Sequence, residues 1–146
     1  MWALIGLNAD LDIPNVYSVL SDDFTSTYAG TVQMIQSGIS DILYFYNSRS
    51  YSGRHKLSGF RAAMEEMSLL KSEDLIQFYQ GSQEDIHAMI RHLKGVHDRG
   101  LTFHGVIAAD DCLGLAAVKY AREMGYRIPE DFSILGYNNS MLTSCC

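Results

Sequence analysis

The stretch GVIAADDCLGLAAVKYAREMGYRIPEDFSILGYNN, residues 105–139, decides the fold. It opens on the end of an apolar, β-rich run, HGVIAA at 104–109, which predicts a strand. Two acids follow, Asp110 and Asp111, and then Leu113, Ala117, Tyr120 and Met124 recur three or four apart, which predicts a helix over about 111–124. Gly125 stops that helix, because a residue without Cβ enters the left-handed region at no steric cost. Pro129 stiffens the connection, FSILGY at 132–137 forms the next strand, and Asn138 and Asn139 stand where it ends. Strand, crossover helix and strand in sequence make a βαβ unit of a parallel sheet. The two asparagines have two readings: a turn, or one wall of a ligand cleft.

Working outward, the same alternation continues towards the N-terminus. VYSVL (16–20), DILYFY (41–46) and LIQFY (75–79) predict three more strands. A first helix over about Ser26 to Ser37 shows Tyr28, Val32 and Ile35 on one face and ends at Gly38. A second carries Leu57, Phe60, Met64 and Met67 at spacings of three and four. The third opens with Ser82 and Asp85 as a capping pair and carries Ile86, Met89, Ile90 and Leu93 before Gly95. Five strands alternating with four helices predict an α/β fold, a three-layer α/β/α sandwich around a mostly parallel sheet. The first dozen residues hold one further strand that does not fit this alternation.

Composition narrows the function classes. With 146 residues, 47% of them hydrophobic and 19% charged, the chain is long enough for one well-buried core. A net charge of −6 makes it a poor ligand for phosphate backbones, so any DNA binding belongs to another segment. Cys112, Cys145 and Cys146 give neither a disulfide framework nor spaced metal pairs, which suits a reducing compartment; no metal and no cofactor are expected. No apolar run approaches a membrane span, and the N-terminal MWALIGL lacks the basic start and small-residue cleavage site of a signal peptide, so the chain reads as cytoplasmic with no membrane partner. The abrupt start in MWALIGL and the end at TSCC read as cuts in a longer parent.

Open parallel sheets bind ligands outside the carboxyl ends of their strands. The polar residues gather there: Asn47, Ser48, Arg49, Ser50 and Arg54 after the second strand, Gln80 after the third, Asp110 and Asp111 after the fourth, Asn138 and Asn139 after the fifth. Carboxylates accept paired hydroxyls, arginine donates in a fixed fork and asparagine does both, so the rim suits a hydroxyl-rich small molecule. Each group also has a plainer use. Either acid can cap the fourth helix, and Arg54 can be a solvated first-turn residue.

The blocks VYSVLSDDFTSTYAGTVQMIQSGISDILYFYNS (16–48), SYSGRHKLSGFRAAMEE (50–66) and 105–139 resemble, in order, the LacI/GalR family of transcriptional regulators. The most specific element is a strand ending in an acid, a small-residue helix, G-x-R-I-P-E-D, a strand and then G-Y-N. The resemblance implies the second lobe of a two-lobed effector-binding region with the fold of type I periplasmic binding proteins. It also implies a DNA-binding helix-turn-helix elsewhere in the parent and a homodimer. Residues 1–12 then look like a remnant strand of the first lobe or the crossover, and 13–146 like the lobe itself. Residue by residue, Arg54 falls where the family clamps its effector, with Ser50 beside it. Asp110 matches the acid after the fourth strand, and Asn138 the residue that reaches ligand hydroxyls. Gln80 and Asp111 complete the effector set from the rim. Two positions depart from the family: Ala109 stands where an asparagine usually precedes the acid, and Gln80 where an aromatic is usual, with Tyr79 one place off. The implied effector is a sugar, or a purine.

Enzyme readings find little support in the sequence. No phosphate-binding glycine loop, dinucleotide fingerprint or nucleophile elbow follows a strand, and His87, His92 and His97 read as a solvated helix face. Asp22 and Asp23 after the first strand resemble the acid pair of a phosphoryl-receiving domain. Gln80 stands where such a domain needs its aspartate. An exported sugar receptor shares the fold and the cleft and needs a leader upstream.

Overall fold

The computed structural model describes residues 4–7, 12–69, 73–82 and 84–137. Along the chain these form β1 (Leu4–Leu7), β2 (Val16–Val19), α1 (Asp23–Gln36), β3 (Ile42–Tyr46), α2 (Tyr51–Glu66), β4 (Ile76–Phe78), α3 (Ile86–Asp98), β5 (Gly105–Ala108), α4 (Asp111–Glu123) and β6 (Ser133–Leu135). The main sheet has the order β4-β3-β5-β6 with every pair parallel, in a register that sets Tyr44 beside Ile76, Leu43 beside Val106 and Val106 beside Ile134. The α/β fold with a parallel sheet is the one expected.

The side-chain alternation of β3 divides the core between two helical layers. Leu43 and Phe45 face one cluster with α3 and α4, where Met89, Leu93, Leu113 and Tyr120 are buried. Ile42 and Tyr44 face the other, against Met34 of α1 and Phe60 and Met64 of α2. A strand buried on both faces has to be apolar throughout, which is why ILYFY shows no polar alternation. Burying one side chain such as Phe60 contributes about 1.5–3 kcal/mol.

Four local expectations are corrected. The first predicted strand, β2, does not join the main sheet: it pairs in parallel with β1 as a separate two-stranded sheet, Leu4 beside Val16. Helix α1 starts three residues early, capped by Asp22, and buries Thr27, Thr31 and Met34 rather than a Tyr28, Val32 and Ile35 face. Both threonine hydroxyls are satisfied within the helix, Thr27 donating to the Asp23 carbonyl and Thr31 to the Thr27 carbonyl, each at 2.7 Å, so these polar residues can turn inward. Helix α3 passes through Gly95 and runs to Asp98, with Asp85 alone as its cap, while the Ser82 hydroxyl accepts from the Glu84 amide in the preceding turn. Met67, placed on the core stripe of α2, lies past its end and is exposed.

The G-x-R-I-P-E-D segment explains itself structurally. Gly125 takes φ +81° after α4. Arg127 then grips Asp131 through two hydrogen bonds of 2.6 and 2.7 Å, closing the loop that delivers Phe132 to the core. The guanidinium holds the Asp131 carboxyl down to about 2. No helix among the described residues is long and apolar enough to cross a membrane.

Candidate functional site

Right-handed crossovers place the start of each helix beside the carboxyl ends of the strands. The predicted rim is built there. Ser50 is the N-cap of α2, its hydroxyl accepting from the Gly53 amide at 3.2 Å. Asp110 is the N-cap of α4: one carboxylate oxygen accepts from the Leu113 amide at 2.9 Å and the other from the Asn47 side-chain amide at 2.6 Å. A single carboxylate thus fixes both its own helix and the neighbouring β3 terminus. Asp111 is buried in the first turn of α4.

Arg54 projects from the first turn of α2, exposed, with one guanidinium nitrogen donating to the Arg49 carbonyl at 2.6 Å. Gln80 is exposed beyond β4, next to the buried Tyr79. Asn138, like Cys145 and Cys146, lies outside the described residues. Among the predicted effector residues, Ser50 with Arg54 and Asp110 with Asp111 therefore form two groups, at the starts of α2 and α4. Asn47, just beyond β3, joins the α4 group through its hydrogen bond to Asp110.

The sequence reading missed Lys56. It is 6% exposed on α2, its ammonium donating to the Ala109 carbonyl at 3.3 Å, 3.9 Å from an Asp23 carboxylate oxygen and 4.6 Å from the centre of the Tyr137 ring. Tyr137 donates to Thr27 at 2.6 Å and Thr27 in turn to the Asp23 carbonyl, so one polar chain runs from the end of β6 to the start of α1. Burial pushes the Tyr137 phenol up. The signal was available: Lys56 sits three residues after Gly53 and four before Phe60, on the buried stripe of α2. Asp22 and Asp23 are a helix cap and a buried partner of this lysine, not a phosphoryl-accepting pair.

Two further groups correct or refine the reading. His92 is not on a solvated face: its ring lies 2.9 Å from the Gln77 side-chain oxygen and stacks on Phe45 at 5.5 Å between centroids, and burial lowers its pKa. At the start of α4, burial and then the charges of Asp110 and Asp111 push the Cys112 thiol up, so the thiolate needed for nucleophilic chemistry is disfavoured. The rim supplies hydrogen-bond donors and acceptors on capped, rigid helix starts, an arrangement suited to holding a polar ligand.

Residues 31–146 match the family described as periplasmic binding protein-like domain. The chain belongs to that family. An HTH-type transcriptional regulator of Lachnoclostridium phytofermentans is 39% identical over 140 residues, covering 96% of this chain and 41% of the relative. Among solved structures, a complex of the transcriptional regulator CelR with cellobiose aligns with TM-score 0.79 at 26% identity, over 94% of this chain and 42% of that one. A LacI family transcriptional regulator from Enterococcus faecium with bound ribose aligns with TM-score 0.77 at 22% identity, over 99% of this chain and 52% of that one, which shows the shared fold. The resemblance to a LacI/GalR effector-binding lobe is borne out. This periplasmic binding protein-like domain spans less than half the length of the curated regulators it matches.

Proposed function

We propose that the chain is the second effector-binding lobe of a LacI-type transcriptional regulator. A sugar or related metabolite enters a cleft between this lobe and a first one, and closure repositions DNA-binding heads in a homodimer. Operator DNA is contacted by a helix-turn-helix outside this chain; a domain carrying a charge of −6 is not the DNA-binding part. No bond is made or broken, and the protein works in the cytoplasm. Residues 1–12 fit as the end of a first-lobe or crossover strand, because a parallel pair such as β1 and β2 is ordinarily part of a larger buried sheet.

The observation that carries this reading is the polar rim on a family-typical fold: Ser50, Arg54, Asp110 and Asp111 all stand at carboxyl ends of strands, where relatives solved with cellobiose and ribose share the architecture. Arg54, Asp110 and Asn138 are the effector contacts in this reading, with Gln80 at the mouth. The test is calorimetry on the full-length parent against a panel of sugars and purines, with operator release measured in parallel. Arg54→Ala is expected to weaken the active effector at least tenfold while the fold persists. Unchanged affinity removes Arg54 from the site, and a parent that releases operator for no member of the panel ends the sensing role proposed here.

A further inference from the structure

Lys56 is the one cation buried among the described residues. Its ammonium gathers residues that follow β2, β5 and β6. It donates to the Ala109 carbonyl, just past β5, and lies against the ring of Tyr137, just past β6. The Asp23 carboxylate, at the start of α1 after β2, is its ionic partner. Two of these strand ends run on, one residue later, to groups assigned to the effector: Ala109 to Asp110 and Tyr137 to Asn138.

Burying an ammonium against one carboxylate contributes little net stability, because desolvation offsets most of the attraction. What the arrangement supplies is placement. The Ala109 amide donates to the Phe45 carbonyl at 2.9 Å, so β3 holds this residue on one side and Lys56 on the other. The peptide joining Ala109 to Asp110 is planar, so a donor that fixes the Ala109 carbonyl also fixes the Asp110 amide and the direction of its Cα. From that extended backbone, φ −146° and ψ 172°, the Asp110 carboxylate reaches both Asn47 and the Leu113 amide. At β6 the cation meets the Tyr137 ring face while the phenol donates to Thr27, which sets both the tilt and the reach of that ring.

We propose that Lys56 is a positioning residue of the effector cleft: from beneath the rim it sets the orientation of Asp110, and of the chain leaving β6, for hydrogen bonds to the hydroxyls of a sugar. This role rests on the rim being the effector cleft. A purely structural ion pair makes a different prediction, because replacing both of its partners by apolar residues restores stability and, with it, everything that depends on stability alone.

The test uses Lys56→Met with Asp23→Leu in the full-length parent, with the urea midpoint as the check on folding. Hydrogen exchange at the Leu113 amide, which Asp110 caps, is followed without ligand. Calorimetry then measures the member of the sugar and purine panel, cellobiose and ribose included, that binds the parent. The double variant is expected to keep a midpoint near the parent's, to exchange Leu113 about tenfold faster or more, and to bind that ligand about tenfold more weakly or worse. Lys56→Arg, which keeps a donor for the Ala109 carbonyl, returns part of both. Met89→Ala, a cavity in the opposite core layer, lowers the midpoint and leaves Leu113 exchange unchanged.

A stable double variant that exchanges Leu113 at the parent's rate overturns the role, whether or not an effector is known. Faster exchange with unchanged affinity also overturns it, since the orientation of Asp110 would then not matter to the ligand. If no member of the panel binds the parent, the sensing role falls by itself, and Leu113 exchange still decides whether Lys56 holds the Asp110 group. Where the double variant does not fold, Lys56→Gln, one atom shorter, is compared with Asp23→Asn, which leaves the lysine in place. Leu113 exchange should rise in the first and not in the second, and equal rates overturn the role.

Discussion

The Asn47 side-chain amide donates to the Asp110 carboxylate across 2.6 Å, joining the carboxyl end of β3 to the start of α4. The other oxygen of that carboxylate caps the helix at the Leu113 amide. One acid therefore performs the plain structural duty of a cap and, from the same position, fixes the geometry of the rim. The two readings of Asp110 in the sequence are compatible because a carboxylate has two oxygens with separate lone pairs.

Removing both functions should cost more than removing one. Asp110→Ala is expected to lower stability by about 2 kcal/mol, the loss of a cap together with a charge-assisted bond. Asn47→Ala, which spares the cap, should cost about 1 kcal/mol. Urea unfolding followed by circular dichroism separates them, and equal losses would mean that the cap contributes nothing.

Lys56 and Asp23 are buried together between α1 and α2. Lys56→Met strands a buried carboxylate and should destabilise by about 3 kcal/mol, whereas Lys56→Met with Asp23→Leu should recover most of that loss. A double-mutant cycle in urea measures the coupling. Additive losses would mean that the Ala109 carbonyl and the Tyr137 ring hold the lysine without help from the acid.

Gly59 and Gly95 both lie inside helices, and the same substitution should have opposite signs. At Gly59 a Cβ would come 2.3 Å from the Phe24 carbonyl oxygen of α1. Gly59→Ala should force the helices apart at a cost of about 1–3 kcal/mol. At Gly95 the nearest atom is the end of the flexible Arg99 side chain, 3.9 Å away. Gly95→Ala should stabilise by up to about 1 kcal/mol through helix propensity. Thermal melts of the two variants should move in opposite directions.

His92 sets an acid-side limit. Burial first, and then the nearby charge of Arg99, lower its pKa from the ordinary 6.5. The unfolded chain therefore takes up the proton more readily than the folded one. This contribution to stability is complete above pH 6.5 and is lost as pH falls from there through the lower folded-state value. His92→Gln should flatten that part of the stability curve, read as denaturation midpoints over pH 5–8. An unchanged slope would assign the acid sensitivity to other groups.

Local pattern was enough to determine the elements. The periods of two and three to four residues, Gly125 after α4 and Pro129 beyond it gave five strands and four helices in order, because those signals reside in neighbouring residues. The placement of polar groups at strand ends was legible for the same reason: a parallel sheet with right-handed crossovers has one binding edge whatever the details of packing.

Tertiary structure decided which polar residues turn inward and which partners they meet. Thr27, Thr31, Asp23 and Lys56 have surface-type side chains that packing buries: the threonines donate within α1, and Lys56 meets Asp23 where α1 and α2 approach closely at Gly59. That β2 pairs with β1 outside the main sheet, and that Asn47 meets Asp110 across 63 positions of sequence, likewise depend on contacts between distant segments. The sequence determined the backbone's local conformations, since each is fixed by residues a few positions apart. The free energy of a buried polar group depends on what surrounds it in space, and no local pattern records that.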